Sequence, residues 1–337
     1  MRPNKKALNI NLLTIIAVYF LILIGGIVRS MGAGMGCPDW PKCFGEYIPP
    51  TDNASLPENY EQIYVDLRVK KNLRLSNTLN FLGFSELSAK VTNDPKILEA
   101  TYFDVEKAWV EYLNRLVGVT IGILIILNMW FSFRYWNEHR AVTWIAIASF
   151  VLVLFQGWIG SLVVSTNLIP GFISFHMALA LLMVALLLVQ RIWMTSSNRM
   201  AVMGKYVLGI LLVLFGIQVL MGVQVREQID LIKSTTDLSR SSWVDSLSSI
   251  FYIHRTYSLL LMALIAYLFY INYKSGQLNI LLYLLVGTVV VEIILGAVLS
   301  YFSMPAAIQP VHLLLGTVAF GVIFYLFLST NYKLKQQ

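Results

Sequence analysis

The chain has 337 residues, of which 57% are hydrophobic and only 13% charged, with a formal net charge of +7. Soluble globular proteins carry about 25% charged residues, so this composition excludes an ordinary soluble fold and points to an integral membrane protein. The basic residues are scattered over short connections and not gathered in one patch, which excludes a nucleic-acid footprint.

A helix crosses a bilayer with about 20 consecutive apolar residues. Eight segments meet that requirement: 9–30, 109–132, 142–165, 171–193, 203–225, 249–272, 278–301 and 307–330. The expected fold is therefore an all-α membrane protein with eight transmembrane helices. The first apolar run is too long for the core of a cleavable signal peptide, and no small-residue cleavage site follows it. The short connections on one side, "MRPNKK", "FRYWNEHR", "QRIWMTSSNRMAVMGK", "NYKSGQ" and "NYKLKQQ", hold eleven Lys or Arg and one acid, Glu138. The positive-inside rule makes that side cytoplasmic. It places both termini inside; the membrane expected for the chain is the cell's inner membrane.

On the outer side, residues 31–108 form a long polar loop and 226–248 a shorter one. The stretch "NYEQIYVDLRVKKNLRL" (59–75) has the pattern of an amphipathic helix at the membrane surface. The only cysteines, Cys37 and Cys43, follow the first span in "GCPDWPKCFGEY". In an oxidising compartment they make either a disulfide staple or a thiol pair that cycles with an outside redox partner.

The second span opens with "VEYLNRLVGV" (110–119), and the sixth with a similar phrase, "FYIHRTYSLL" (251–260). A shift of 140 positions lays Asn114-Arg115 on His254-Arg255. A shift of 136 lays Gln156 on Glu292, Gly160 on Gly296 and His176 on His312. A shift of 197 lays Gly25 on Gly222 and Arg29 on Arg226. The chain thus reads as two four-helix-bundle halves, 1–200 and 201–337. Four crossings return it to its starting side, so the halves are parallel repeats.

Of four histidines, His139 lies in a cytoplasmic connection and reads as a solvated residue. The other three lie inside apolar helices, where an ionisable group is costly and faces the bundle interior or a cofactor. A lone one could simply hydrogen-bond across helices. His176, His254, His312 and Asn114 each stand about five residues in from the outer side. At about 1.5 Å per residue they share a layer less than about 10 Å below the outer helix ends.

Two imidazoles facing across a helical bundle suit a haem iron, so His254 and His312 are the expected axial ligands of a six-coordinate, electron-transferring haem. In the first half His176 faces Asn114, a poor iron ligand, which leaves one face of a haem there free. Glu111, one turn before Asn114, is a candidate acid, base or cation stabiliser, or else a residue at the water boundary. Arg115 and Arg255 are candidate partners of haem propionates, or else cations that reach to the interface.

In these features the chain resembles heme A synthase. The E-x-x-[H/N]-R entry to the second span, the F-x-I-H-R entry to the sixth, and the G-x15-H pattern entering the fourth and eighth carry the likeness. So does the "GGIVRSMGAGMGCPDWPKC" exit from the first. The resemblance implies an enzyme that oxidises a ring methyl of heme O to a formyl group in two successive hydroxylations, the heme A produced serving cytochrome oxidase. It implies a haem b between His254 and His312, the substrate haem at His176, Glu111 as the essential acid and Cys37 and Cys43 as the family's loop cysteines. Implied partners are heme O, heme A, a membrane electron donor, heme O synthase and cytochrome oxidase assembly factors; a homo-oligomer is compatible with all of this. One departure stands out: the family commonly has His where this chain has Asn114.

Two other readings compete. A cytochrome b-type electron carrier or quinol oxidoreductase predicts two permanent six-coordinate haems, which Asn114 disfavours. A transporter with parallel repeats predicts broken helices with polar residues at the membrane midplane. Apart from Glu292 the span centres are almost free of charge.

Overall fold

The computed structural model describes residues 4–95, 99–166, 171–195, 202 and 204–331. Among these residues there is no strand, only a single bridge between Cys43 and Glu46. The α-helices in chain order are α1 (Lys5–Met31), α2 (Tyr60–Phe81), α3 (Ser85–Asn93), α4 (Val105–Ser132), α5 (Arg140–Ser165), α6 (Phe172–Met194), α7 (Lys205–Thr235), α8 (Ser249–Lys274), α9 (Ile280–Tyr301) and α10 (Ile308–Asn331). All but α2 and α3 are long and apolar enough to cross a membrane, and they coincide with the eight expected spans. Four basic residues used to orient the chain, Arg2, Arg199, Lys333 and Lys335, lie outside the described residues, as do 167–170 within the stretch that leads to His176.

The spans expose large apolar side chains such as Phe20, Trp130, Leu154 and Ile280. That surface suits lipid, not water. Lipid supplies no hydrophobic drive between helices, so polar side chains and small residues tie them together. Asn128 Nδ2 donates to Gln190 Oε1 at 2.7 Å, and Asn11 Nδ2 donates to the Leu187 carbonyl at 3.2 Å, which links α1, α4 and α6 through buried amides. At Gly26 of α1 a Cβ would stand 2.9 Å from Pro310 Cβ, so glycine is what lets α1 approach the first turn of α10.

Two compact units make up the chain: Met1–Gly26, Ile121–Val153 and Met177–Gln337 form the larger, and Ile27–Thr120 with Leu154–His176 the smaller. In the larger unit α7, α8, α9 and α10 pack in a ring, each against the next and α10 back against α7. The connection after α7 covers one end of that bundle, with Trp243 and Leu247 packed among Val225, Ile229, Phe251 and Leu299. His139 is not simply solvated: its ring lies 5.3 Å from that of Trp193.

Element boundaries differ from expectation in two places. The helix of the second span starts at Val105, a turn before the apolar run, because the Asp104 carboxylate accepts the Lys107 N–H at 3.1 Å. The same bond holds the Asp104 carboxyl below the usual carboxylate range. α7 continues to Thr235 into the expected 226–248 loop. There an Arg226–Asp230 ion pair of 2.7 Å spans one turn, and Val225 and Ile229 carry the buried stripe onward.

In the smaller unit the expected amphipathic segment is helix α2. Its buried residues mix polar Arg68, Asn72 and Ser76 with Tyr64, Val65, Leu75 and Leu79. Asn72 Nδ2 donates to the Ser165 carbonyl at 2.8 Å, and Lys71 Nζ to the Ser161 carbonyl at 3.2 Å. This face is therefore seated on the end of α5.

Candidate functional site

Glu111 is 3% exposed, on the second turn of α4. One carboxylate oxygen accepts the Cys37 backbone N–H at 3.0 Å, and the other accepts Arg115 Nη2 at 2.5 Å. Arg115 also donates to the carbonyls of Cys37 (3.1 Å), Asp39 (3.0 Å) and Lys42 (2.7 Å). Every hydrogen of its two terminal nitrogens thus has an acceptor. Cys37 and Cys43 form a disulfide. Inside the loop they close, the Asp39 carboxylate accepts the N–H groups of Phe44 (2.7 Å) and Gly45 (3.0 Å). Phe44 meets Tyr60, Tyr64 and Phe103 edge-on. Glu111 and Arg115 therefore form the floor of a stapled loop. The carboxylate is held on both oxygens by partners from the loop and its own helix.

His176 is the fifth residue of α6. Its Cε1 lies 3.6 Å from where a Cβ on Gly160 would stand, and its backbone carbonyl accepts Gln156 Nε2 at 3.2 Å. The buried Nδ1 of His176 and the buried Oδ1 of Asn114 have no hydrogen-bond partner.

In the larger unit His254 of α8 and His312 of α10 face each other with ring centres 6.5 Å apart. One metal held by two imidazoles at about 2 Å per bond puts the ring centres about 6–7 Å apart. The pair therefore fits a single iron between them. His312 Nδ1 lies 2.8 Å from Glu292 Oε2 on α9. Gln218 of α7 donates to the His254 carbonyl at 3.0 Å. Gly222 and Gly296 face the rings, at 3.1 Å and 3.5 Å from Cε1 of His254 and His312. Arg255 is exposed, its guanidinium over the rings of Tyr252 (5.6 Å) and Phe251 (5.9 Å).

The structure thus brings together Glu111, Arg115, Cys37 and Cys43 in one cluster and His254 with His312 in another. It places His176 beside Gly160, and the Arg255 guanidinium over the rings of Tyr252 and Phe251. Sequence reasoning missed the partners of the histidines: Gln156, Gln218 and Glu292. Each stands four residues before a ring-facing glycine, in Gln156-x3-Gly160, Gln218-x3-Gly222 and Glu292-x3-Gly296. That threefold recurrence was the available signal.

A family model described as cytochrome oxidase assembly protein (COX15-CtaA) matches residues 9–77 and 99–324. A heme A synthase of Shewanella oneidensis is 23% identical, covering 89% of this chain and 89% of its own length. One of Wolbachia pipientis wMel is 24% identical over 92% of this chain and 88% of its own. The matched segments contain Glu111, His176, His254 and His312 and stop short of only the chain ends and part of the long loop. This chain belongs to the heme A synthase (COX15-CtaA) family of cytochrome oxidase assembly proteins.

Proposed function

We propose that the protein oxidises heme O to heme A in the cell's inner membrane, with both termini cytoplasmic and the stapled loop outside. The ring methyl of heme O passes through two successive hydroxylations to a formyl group. Residues 1–200 form the substrate half and 201–337 the electron-transfer half, as parallel repeats. The observation that carries the reading is the facing pair His254 and His312, spaced for one iron, in a chain of this family.

His254 and His312 would hold a haem b, with Arg255 near its propionates; when bound, that group supplies one-electron transfer. Two protein ligands leave no position for oxygen there, so the chemistry belongs to the other half. His176 binds the substrate haem, and Asn114 faces it without gripping the iron, which eases entry and release. In each hydroxylation the methyl carbon gives up two electrons and a proton to dioxygen, which is reduced to water with two further electrons from the membrane donor; Glu111 stabilises the positive charge that develops on that carbon, or takes the proton of the water that adds to it. Arg115 and the Cys37 N–H hold that carboxylate still. Heme O synthase, cytochrome oxidase assembly factors and a membrane electron donor are the expected partners.

Pigment extraction from the purified protein tests this. Heme O or heme A should co-purify with haem b. Haem b alone would favour a plain electron carrier.

A further inference from the structure

The three ring-facing glycines are each preceded, one turn earlier, by a residue that serves the same histidine, but not in the same way. Gln156 and Gln218 each use an amide N–H, and each donates to the backbone carbonyl of its histidine, at 3.2 Å and 3.0 Å. Glu292 occupies the same register. A carboxylate has no N–H to give, so it turns from the carbonyl to the ring and lies 2.8 Å from His312 Nδ1. Gly316, one turn beyond His312, faces the same carboxylate, at 3.8 Å from where its Cβ would be. The side chain is 13% exposed within a membrane-spanning helix. A carboxylate there is costly, and glutamine would fill the space at less cost. Packing alone does not account for the acid.

We infer that Glu292 is the positioning residue of the C-terminal iron ligand. It takes the Nδ1–H of His312, turns the other ring nitrogen towards the metal and strengthens the imidazole as an electron donor. This rests on the proposed haem between His254 and His312. A carboxylate behind a ligating histidine fixes its tautomer and raises its basicity, which favours oxidised iron and lowers the haem's reduction potential. Among the described residues the counterpart of Glu292 beside His176 is a neutral amide, Gln156, which donates to the His176 carbonyl. The Glu-for-Gln exchange therefore makes the two haem positions unequal and sets the direction of electron flow, from the C-terminal half to the N-terminal one.

Redox titration of the purified full chain, followed by haem absorbance, tests this in wild type, Glu292→Gln and His312→Ala. Glu292→Gln should keep its haem. The reduced-to-oxidised ratio of the C-terminal haem at a fixed ambient potential should rise about tenfold, or about 59 mV for a one-electron couple. If His312→Ala holds the same haem as wild type, the proposed function itself fails. If His312→Ala loses a haem while Glu292→Gln titrates like wild type, only the role of Glu292 is overturned. Should Glu292→Gln retain no haem, Glu292→Asp decides. Haem kept by Asp supports the need for an acceptor; loss from both variants assigns Glu292 to folding and overturns the inference.

Discussion

At Asn114 the two halves of the chain diverge most plainly. Under the shift of 140 positions its counterpart is His254, and an amide is a far poorer iron ligand than an imidazole. If that opening serves substrate exchange, Asn114→His should convert the bound substrate haem to a six-coordinate low-spin form and slow turnover about tenfold or more, within the range known for groups around a metal ligand. Absorbance spectroscopy paired with a turnover assay checks both. Turnover equal to or above wild type would remove any need for an open face. The histidines themselves were legible in the sequence, because an imidazole in an apolar run is conspicuous. Their partners were not. A Gln or Glu four residues before a Gly looks like helix filler until the helices are paired, and whether it meets a ring or a carbonyl depends on rotation about the helix axis. The loop contacts of Arg115 were hidden for a similar reason. Its acceptors are backbone carbonyls more than 70 positions away, which leave no side-chain signature.

Among the elements, the stapled loop is the one whose fit against a helix decides the site. A Cβ on Gly36 would overlap the Lys107 carbonyl of α4 and stand 2.7 Å from the Ala108 nitrogen, and backbone cannot give way as a side-chain tip can. Gly36→Ala should therefore cost about 1–3 kcal/mol, in the range of overpacking changes, and lower the thermal midpoint. Gly287→Ala on α9, with nothing within 4 Å, should not. Equal midpoints for the two variants would contradict the loop packing described here. The loop also responds to alkali. The Tyr64 phenol is pushed up to about 12, by burial first and then by Asp39 and Glu46. A raised value means the folded loop favours the neutral phenol. That contribution is complete below pH 10 and is lost as pH rises from about 10 to about 12. Protease sensitivity of the loop should increase across that window and do so less in Tyr64→Phe; an identical profile in the variant would dismiss Tyr64 as the cause. The eight spans were legible because twenty apolar residues have one use in a protein. The extent of α7 was not, since its last turns carry Arg226, Asp230 and Lys233 and look like a loop until the i,i+4 ion pair is seen.

For the whole molecule, family membership, eight helices long and apolar enough to cross a membrane and one facing histidine pair support the proposed haem chemistry. Orientation by positive charge and the parallel halves extend that picture as proposals. The stapled cluster holds a buried carboxylate, Glu111, and the bundle a facing imidazole pair; the proposed function assigns oxidation of the substrate to the first and electron transfer to the second. Mass analysis of haems from cells that make heme O, lack their own heme A synthase and express this chain or its Glu111→Ala variant tests that division most directly. The account predicts heme A with the wild-type chain, and heme O alone with Glu111→Ala although both haems still bind. Heme O alone with the wild-type chain, or heme A formed equally well by the variant, would contradict it.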